Sequence, residues 1–268
     1  MNNTFGFIGT GNMGSALARA TAKNLKPENI LLSDSYAPVA EKLAAQLGCS
    51  AVSVDAVAAN ACYIFLGVKP QVIASMLGGI APTLAKRTDR FVLVSMAAGV
   101  QIADIRKMAG GDYPVIRIMP NIPASVGSGV ILFDTTDNVS AEEVETFCNV
   151  MAAAGLVDRL PEKLIDAGSA LSGCGPAFVS LFIEALADGA VACGLPRAQA
   201  LNYAAQTVAG TDKMLLESGM HPGQLKDAVC SPGGSTIAGV AALEQGAFRA
   251  SVMEAVENAY HRTMELGK

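Results

Sequence analysis

Residues 5–20 read Phe5-Gly6-Phe7-Ile8-Gly9-Thr10-Gly11-Asn12-Met13-Gly14-Ser15-Ala16-Leu17-Ala18-Arg19-Ala20. A short apolar and aromatic run stops at Gly9, and an Ala-rich segment of helical character follows Gly14. Between them the glycines fall in the pattern G-x-G-x-x-G. In this strand–turn–helix setting Gly9 allows the tight turn, Gly11 lets the backbone approach a pyrophosphate, and Gly14 lets the helix close on the strand. The first helical amides then face the phosphates. A glycine-rich turn with no ligand is the bland alternative, disfavoured by these flanks and by the acid that follows.

That acid is Asp34, 20 residues beyond Gly14 at the end of a second predicted strand, Ile30–Ser33. An acid there can accept hydrogen bonds from ribose hydroxyls and repel a 2′-phosphate, and Ser33, Ser35 and Tyr36 supply no arginine to receive one. Asp34 as a plain helix cap before Ala37–Leu47 is the competing reading. The choice between NADH and NADPH therefore stays open. Further along, Val68-Lys69-Pro70 and Ser95-Met96-Ala97-Ala98-Gly99 end two more predicted strands, where open α/β sheets bind ligands. Small residues at 97–99 leave room for a flat ring, and Lys69 is equally well a solvated lysine at a helix start.

Working outward, predicted strands at Phe5–Ile8, Ile30–Ser33, Tyr63–Gly67, Phe91–Ser95, Val115–Ile118, Val130–Phe133 and Leu156–Asp158 alternate with Ala-rich helical segments. This is a βαβ pattern, and it predicts a Rossmann-like, mostly parallel sheet with helices on both faces over residues 1–160. After Pro161 the strand signal ends. Helices are predicted at Glu162–Leu171, Pro176–Cys193, Pro196–Glu217, Pro222–Val229, Ser235–Glu244 and Ala247–Leu266, several of them opened by proline. Residues 161–268 thus read as an all-helical domain for substrate binding and dimerisation. Ala177–Ala192 is apolar around nearly its whole circumference, which predicts a helix buried on all sides.

The 268 residues leave room for two ordinary domains. Apolar residues make up 51% of the chain, much of it Ala and Gly. Its longest suspicious stretch, Ala170–Ile183, has 14 residues and falls short of a bilayer span, so no membrane partner is expected. With Phe5–Ile8 already structural, no signal peptide is read, and the cytoplasm is the expected location. Six scattered cysteines without a CxxC pair and only two histidines predict neither metal site nor disulfide framework. A net charge of −5, without a basic cluster, argues against nucleic acid and for a small-molecule substrate.

Two Gly-rich breaks interrupt the helical half: Ser172-Gly173-Cys174-Gly175-Pro176 and Ser231-Pro232-Gly233-Gly234-Ser235-Thr236. The second opens onto a helix, so the amides of 234–236 can form an anion nest for a carboxylate. It can equally be a tight interhelical turn with Ser235 or Thr236 as N-cap. Together with Gly9–Gly14, the segments VKPQ at 68–71, AAGV at 97–100, RIMPNIP at 117–123, SGCGPA at 172–177 and HPGQLKDAVCSPGGSTI at 221–237 resemble pyrroline-5-carboxylate reductases over essentially the whole chain. Cys174, Ile122 and Ala228 depart from that family's usual Ser, Thr and, in some members, Asn.

The resemblance implies reduction of L-1-pyrroline-5-carboxylate to L-proline with NADPH or NADH, in a homodimer or a ring of dimers whose helices complete the active site. It implies cofactor contacts from Ile8, Gly9, Thr10, Gly11, Asn12, Met13, Asp34, Ser35, Val68, Lys69, Pro70, Ala97, Ala98 and Asn121. The nicotinamide would lie beside Ala98. For the substrate it implies Ser172, the carboxylate-binding turn Gly233–Gly234–Ser235, an acid at Glu162, and Thr236 as the active-site threonine. His221 and His261 read instead as a helix-start and a surface residue. A related imine reductase, a non-catalytic NADPH-binding protein and a β-hydroxyacid dehydrogenase are the rivals. The last needs a lysine base on the first helix after the boundary, where the only lysine, Lys163, sits at the very start.

Overall fold

Strands bury both faces where the apolar runs are continuous, as the run FGFI at 5–8 and the run YIFL at 63–66 are. In the computed structural model, which describes residues 3–266, these runs form the middle of an eight-stranded sheet. Its strands are β1 (Phe5–Ile8), β2 (Ile30–Ser33), β3 (Ser50–Ala51), β4 (Tyr63–Leu66), β5 (Val92–Ser95), β6 (Val115–Pro120), β7 (Gly129–Thr135) and β8 (Gly155–Arg159), in the order β3-β2-β1-β4-β5-β6-β7-β8. The helices between them are α1 (Asn12–Asn24), α2 (Ala37–Leu47), α3 (Val54–Asn60), α4 (Pro70–Ala85), α5 (Ile102–Ala109) and α6 (Ala141–Met151). After β8 come α7 (Glu162–Ser172), α8 (Gly175–Ala192), α9 (Arg197–Ser218), α10 (Pro222–Val229), α11 (Ser235–Gln245) and α12 (Phe248–Leu266). This is the expected α/β domain with a mostly parallel sheet, followed by helices.

Period-two alternation divides the strand side chains between two cores. Phe5, Phe7, Tyr63 and Phe65 join one, with ring centroids 4.4 Å apart in the Phe5–Tyr63 and Phe7–Phe65 pairs. Ile8, Ile64, Leu66 and Leu93 join the other. Two details depart from the reading of the sequence. The two-residue edge strand β3 is exposed and too short to leave a pattern. β7 runs antiparallel to β6, because residues 121–128 between them are too few for the crossover that a parallel pair needs.

By their internal contacts the residues divide into two compact units, the first taking in residues up to Gly173 and again from Tyr260, the second Cys174–Ala259. The expected division at 160 and the break at 173 differ by one helix, α7, which packs on β7 and β6. In the second unit Ala187 of α8 meets Ala200 and Ala204 of α9, backed by Ile183, Val191 and Leu195. Phe182 meets Phe248 at 5.7 Å between centroids.

The expectation of an α8 buried on all sides is corrected here. Only Ala187 of that helix is buried, while Val179, Leu181 and Leu186 are exposed. Periodicity reports that a face is apolar and not which chain covers it, and one copy of this unit has too few helices to enclose α8. The estimate of membrane-spanning length is corrected too. By length and composition alone the 31-residue run Glu162–Ala192 suffices to cross a bilayer, because helix continues on both sides of Ala170–Ile183.

Candidate active site

The order β2-β1-β4 places the switch in strand direction of travel between β1 and β4, and ligands of open α/β sheets bind outside the strand ends at such a point. Gly9 leaves β1 there with φ of +96°, its N–H donating to Ser33 O at 2.8 Å. A Cβ at Gly9 would lie 2.7 Å from the carbonyl carbon of Gly67, and one at Gly14 only 2.0 Å from Gly9 O. Both glycines are thus required by close backbone approach. A Cβ at Gly11 would meet nothing within 4 Å. Gly11 is the N-cap of α1 and gives no side-chain cap, so the first amides of α1 remain available to an anion.

A cleft of about 830 Å³ opens over this turn. Ile8, Gly9, Gly11, Asp34, Ser35, Val68 and Lys69 of the anticipated cofactor residues line it. Its walls also include Glu41, Val54 and Met76, which carry no sequence motif. Thr10 is buried beneath the turn, Asn12 is exposed and Met13 half-buried at the start of α1. Pro70 opens α4 just after the exposed Lys69, its N-cap residue. The open space at Gly11, the uncapped helix start and the acid at the end of β2 together fit a dinucleotide.

Asp34 does not cap α2, whose N-cap is Tyr36 with no side-chain bond. Its Oδ2 accepts from the N–H of Thr10 at 2.7 Å and from the Thr10 hydroxyl at 3.1 Å. Its Oδ1 accepts from Tyr36 N–H at 3.1 Å and Ser35 Oγ at 3.4 Å. Partial burial pushes the Asp34 carboxyl up, but the bonds from Thr10, Tyr36 and Ser35 outweigh it and hold the pKa below the usual aspartate value. The acid is therefore ionised at neutral pH and braces the glycine turn.

Ala97 and Ala98 follow β5 at the same edge of the sheet, since Ser95 pairs with Leu66 and Leu66 with Ile8. Ala97 is buried and Ala98 exposed, in a turn closed by Val100 N–H to Ala97 O at 3.3 Å. Asn121 has both ends of its amide engaged: Nδ2 donates to Ser172 O at 2.8 Å, and Oδ1 accepts from Val130 N–H at 2.9 Å. The Ser172 hydroxyl donates back to Gly168 O at 3.0 Å within α7. Glu162 Oε1 accepts from Ile102 N–H at 2.7 Å and from Arg117 Nη1 at 3.2 Å. Arg117 opens the segment RIMPNIP, whose resemblance implies no role for it. A charged residue inside the apolar strand VIRIM is the signal that a carboxylate partner must exist.

In the second unit, Gly233 takes φ of +66° and Gly234 caps α11 with no side-chain bond, so neither Ser235 nor Thr236 is the N-cap. A Cβ at Gly234 would lie 2.4 Å from Ser231 Oγ, and Gly234 N–H donates to Ser231 O at 3.0 Å. Ser235 and Thr236 are exposed. The turn thus presents uncapped amides and a free-standing hydroxyl together. His221 caps α10 in a reciprocal box with Gln224, and His261 lies on the surface beside Tyr260.

Residues 162–266 match the family model described as pyrroline-5-carboxylate reductase dimerisation, and residues 4–99 match one described as NADP oxidoreductase, coenzyme F420-dependent. The pyrroline-5-carboxylate reductase of Methanosarcina acetivorans is 43% identical over 270 residues, covering 100% of this chain and 99% of the relative. A solved pyrroline-5-carboxylate reductase from Coxiella burnetii is 30% identical, covers both chains completely and superposes with a TM-score of 0.93. That of Plasmodium falciparum, solved with NADP bound, is 33% identical, with a TM-score of 0.86 over 100% of this chain and 99% of the other. The sheet, the glycine turn, the Ser231–Thr236 turn and these likenesses lead to one conclusion: the chain belongs to the pyrroline-5-carboxylate reductase family.

Proposed function

We infer that this chain reduces L-1-pyrroline-5-carboxylate to L-proline with NAD(P)H, an oxidoreductase acting on a CH–NH bond with NAD(P) as acceptor. Full-length identity of 43% to a reductase of that name carries the reading. Bound NAD(P)H supplies the hydride. The glycine turn Gly9–Gly14 and the α1 amides hold its phosphates, Asp34 and Ser35 meet the adenosine ribose, and Val68, Lys69 and Pro70 flank it. Ala97 and Ala98 form the wall for the nicotinamide. Asn121 stays in this set with its amide braced by Ser172 and Val130, as Asp34 is braced by Thr10. Asp34 and Glu41 put two carboxylates in one cleft, which favours NADH over a 2′-phosphorylated cofactor.

The amides of Gly233–Thr236 hold the substrate carboxylate, and the Thr236 hydroxyl meets the ring nitrogen. A cyclic imine is basic enough to take its proton from water, so the protein's work is orientation and the exclusion of competing poses. The functional division we propose is 1–160 for the dinucleotide and 161–268 for substrate and dimerisation, the latter supported by the family match at 162–266. Exposed Val179, Leu181 and Leu186 suit a homodimer or a ring of dimers, and that use of the apolar run needs no membrane. Six scattered cysteines without a CxxC pair suit the reducing cytoplasm.

The test is the loss of reduced-nicotinamide absorbance with NADH and with NADPH, each with and without pyrroline-5-carboxylate. Substrate-dependent loss, faster with NADH, is the expected result. No loss with either cofactor would overturn the reaction, and a faster NADPH rate would overturn the role given to Asp34.

A further inference from the structure

Arg117 sits in the middle of β6, with Ser95 of β5 and Asp134 of β7 as its cross-strand neighbours, and its side chain is 1% exposed. An arginine buried there must find anions. It finds two on α7: Nη1 reaches Glu162 at 3.2 Å and Nη2 reaches Asp166 at 2.8 Å. These carboxylates lie four residues apart, one helical turn, and so present to the same side. Among the described residues Nε has no hydrogen-bond partner. The guanidinium is buried and both carboxylates are partly exposed, and an ion cluster of this kind adds little to stability over well-packed apolar residues; its consequence lies in what it holds in place.

What it holds is the start of α5. The N-cap of that helix, Gln101, makes no side-chain cap bond, yet Ile102 N–H donates to Glu162 Oε1 at 2.7 Å, from 60 residues away. A carboxylate therefore caps α5 from another element, where the helix dipole favours negative charge. Asp134 in turn accepts from Glu162 N–H at 2.7 Å and fixes the first residue of α7. Between β5 and α5 lies only the turn that carries Ala97 and Ala98, with Gly99 at φ of +72°. One end of this turn is tied by Ala97 N–H to Ser95 Oγ at 3.4 Å, and beyond the other end stands Glu162.

We propose that Glu162, held by Arg117, is a positioning residue that fixes the Ala97–Gln101 turn through the Ile102 amide, and not an acid that touches the substrate. The proposal rests on the reading of Ala97 and Ala98 as the nicotinamide wall. It makes Glu162 matter to the approach of the hydride and not to substrate affinity.

The experiment compares Glu162→Gln, which keeps an oxygen acceptor for Ile102, with Glu162→Ala and with Glu162→Met, which fills the space without one. Glu162→Ala and Glu162→Met are expected to lower kcat by about ten-fold or more. The substrate KM and the affinity for ADP-ribose, which lacks the nicotinamide, stay within about two-fold, and Glu162→Gln keeps most of kcat. A raised KM with intact kcat would place Glu162 on the substrate and overturn the proposal. Equal damage in Glu162→Gln and Glu162→Ala would overturn it as well, as would unchanged kcat in all three. Amide exchange at Ile102 in the wild-type chain needs neither turnover nor a folded variant: protection supports the cap, and free exchange overturns it. Absence of turnover in the wild type would count against the proposed reaction, and the exchange result would still stand separately.

Discussion

Two glycine turns open onto helices in this chain, and they are held in different ways. Gly9–Gly14 is packed into the sheet edge: Gly14 lies against Gly9 O, Thr10 is buried, and Asp34 accepts from both Thr10 donors. Ser231–Thr236 is exposed except at the half-buried Gly234, and among the described residues the hydrogen bond that closes it lies within it, from Gly234 N–H to Ser231 O. Both present uncapped helix amides. The first is preorganised by its own domain. The second keeps its amides in place by local backbone geometry, so damage to it should stay local.

The largest break in this comparison is Gly14→Ala. With a Cβ 2.0 Å from Gly9 O, helix and strand must separate, and the variant should lose about 3 kcal/mol or more and all measurable cofactor binding. Gly233→Ala meets no atom within 4 Å and bears only the strain of its positive φ, about 1–2 kcal/mol, with cofactor affinity unchanged. Thermal unfolding and ADP-ribose titration of the two variants compare them directly. Equal loss of nucleotide affinity in both would erase the distinction between a packed and a self-supporting turn.

Next in size, Thr236→Ala should cut kcat/KM by about 100-fold, the order found for a single preorganised donor. NADH affinity, measured by fluorescence titration, should remain that of the parent. Gly11→Ala sharpens the same contrast from the other side. Its Cβ would enter open space, so stability should stay within about 0.5 kcal/mol of the parent. Cofactor affinity should nonetheless drop by about ten-fold if that open space takes the phosphates, as we propose. A stable Gly11→Ala chain with parental affinity would remove the cleft from the cofactor site.

The smallest expected effect belongs to Asp34→Asn, which should narrow the proposed preference for NADH over NADPH by several-fold, by about 1 kcal/mol. It also carries a pH signature. The folded pKa of Asp34 lies below its ordinary value, so the carboxylate stabilises the fold above about pH 4 and that contribution is lost as pH falls through the lowered value. Denaturant titrations should therefore show parent and variant differing at neutral pH and converging in acid. A gap that persists in acid would mean that Asn disturbs the Thr10 contacts for reasons other than charge.

The cofactor turn was legible in the sequence because every signal it uses is local: glycine spacing, a preceding apolar run, an Ala-rich helix and an acid at the end of the next strand. The Ser231–Thr236 turn was legible only as an alternative between anion nest and interhelical turn, since both need the same residues. Asp34 shows the same division, for its place was readable and its partners were not. Asn121 and Glu162 show what motif reading misses. Their positions lie in recognisable segments, but their side chains are committed to Ser172, Val130, Ile102 and Arg117, which are 9 to 60 residues away.

By itself, then, the sequence determined the alternation of strand and helix, the glycine turns and the apolar circumference of α8, because these follow from periods of two and 3.6 residues and from the backbone freedom of glycine. Tertiary structure alone decided the antiparallel seat of β7, the bracing of Asp34 by Thr10, the burial of Arg117 between Glu162 and Asp166, and the exposure of α8 in a single chain. Asp34 and Arg117 are paired with residues of distant segments, chosen by which groups must be satisfied once water is excluded, and no short window of sequence contains both partners. The turn back of β7 follows from the short 121–128 link, and the exposure of α8 from the lack of cover within its own unit.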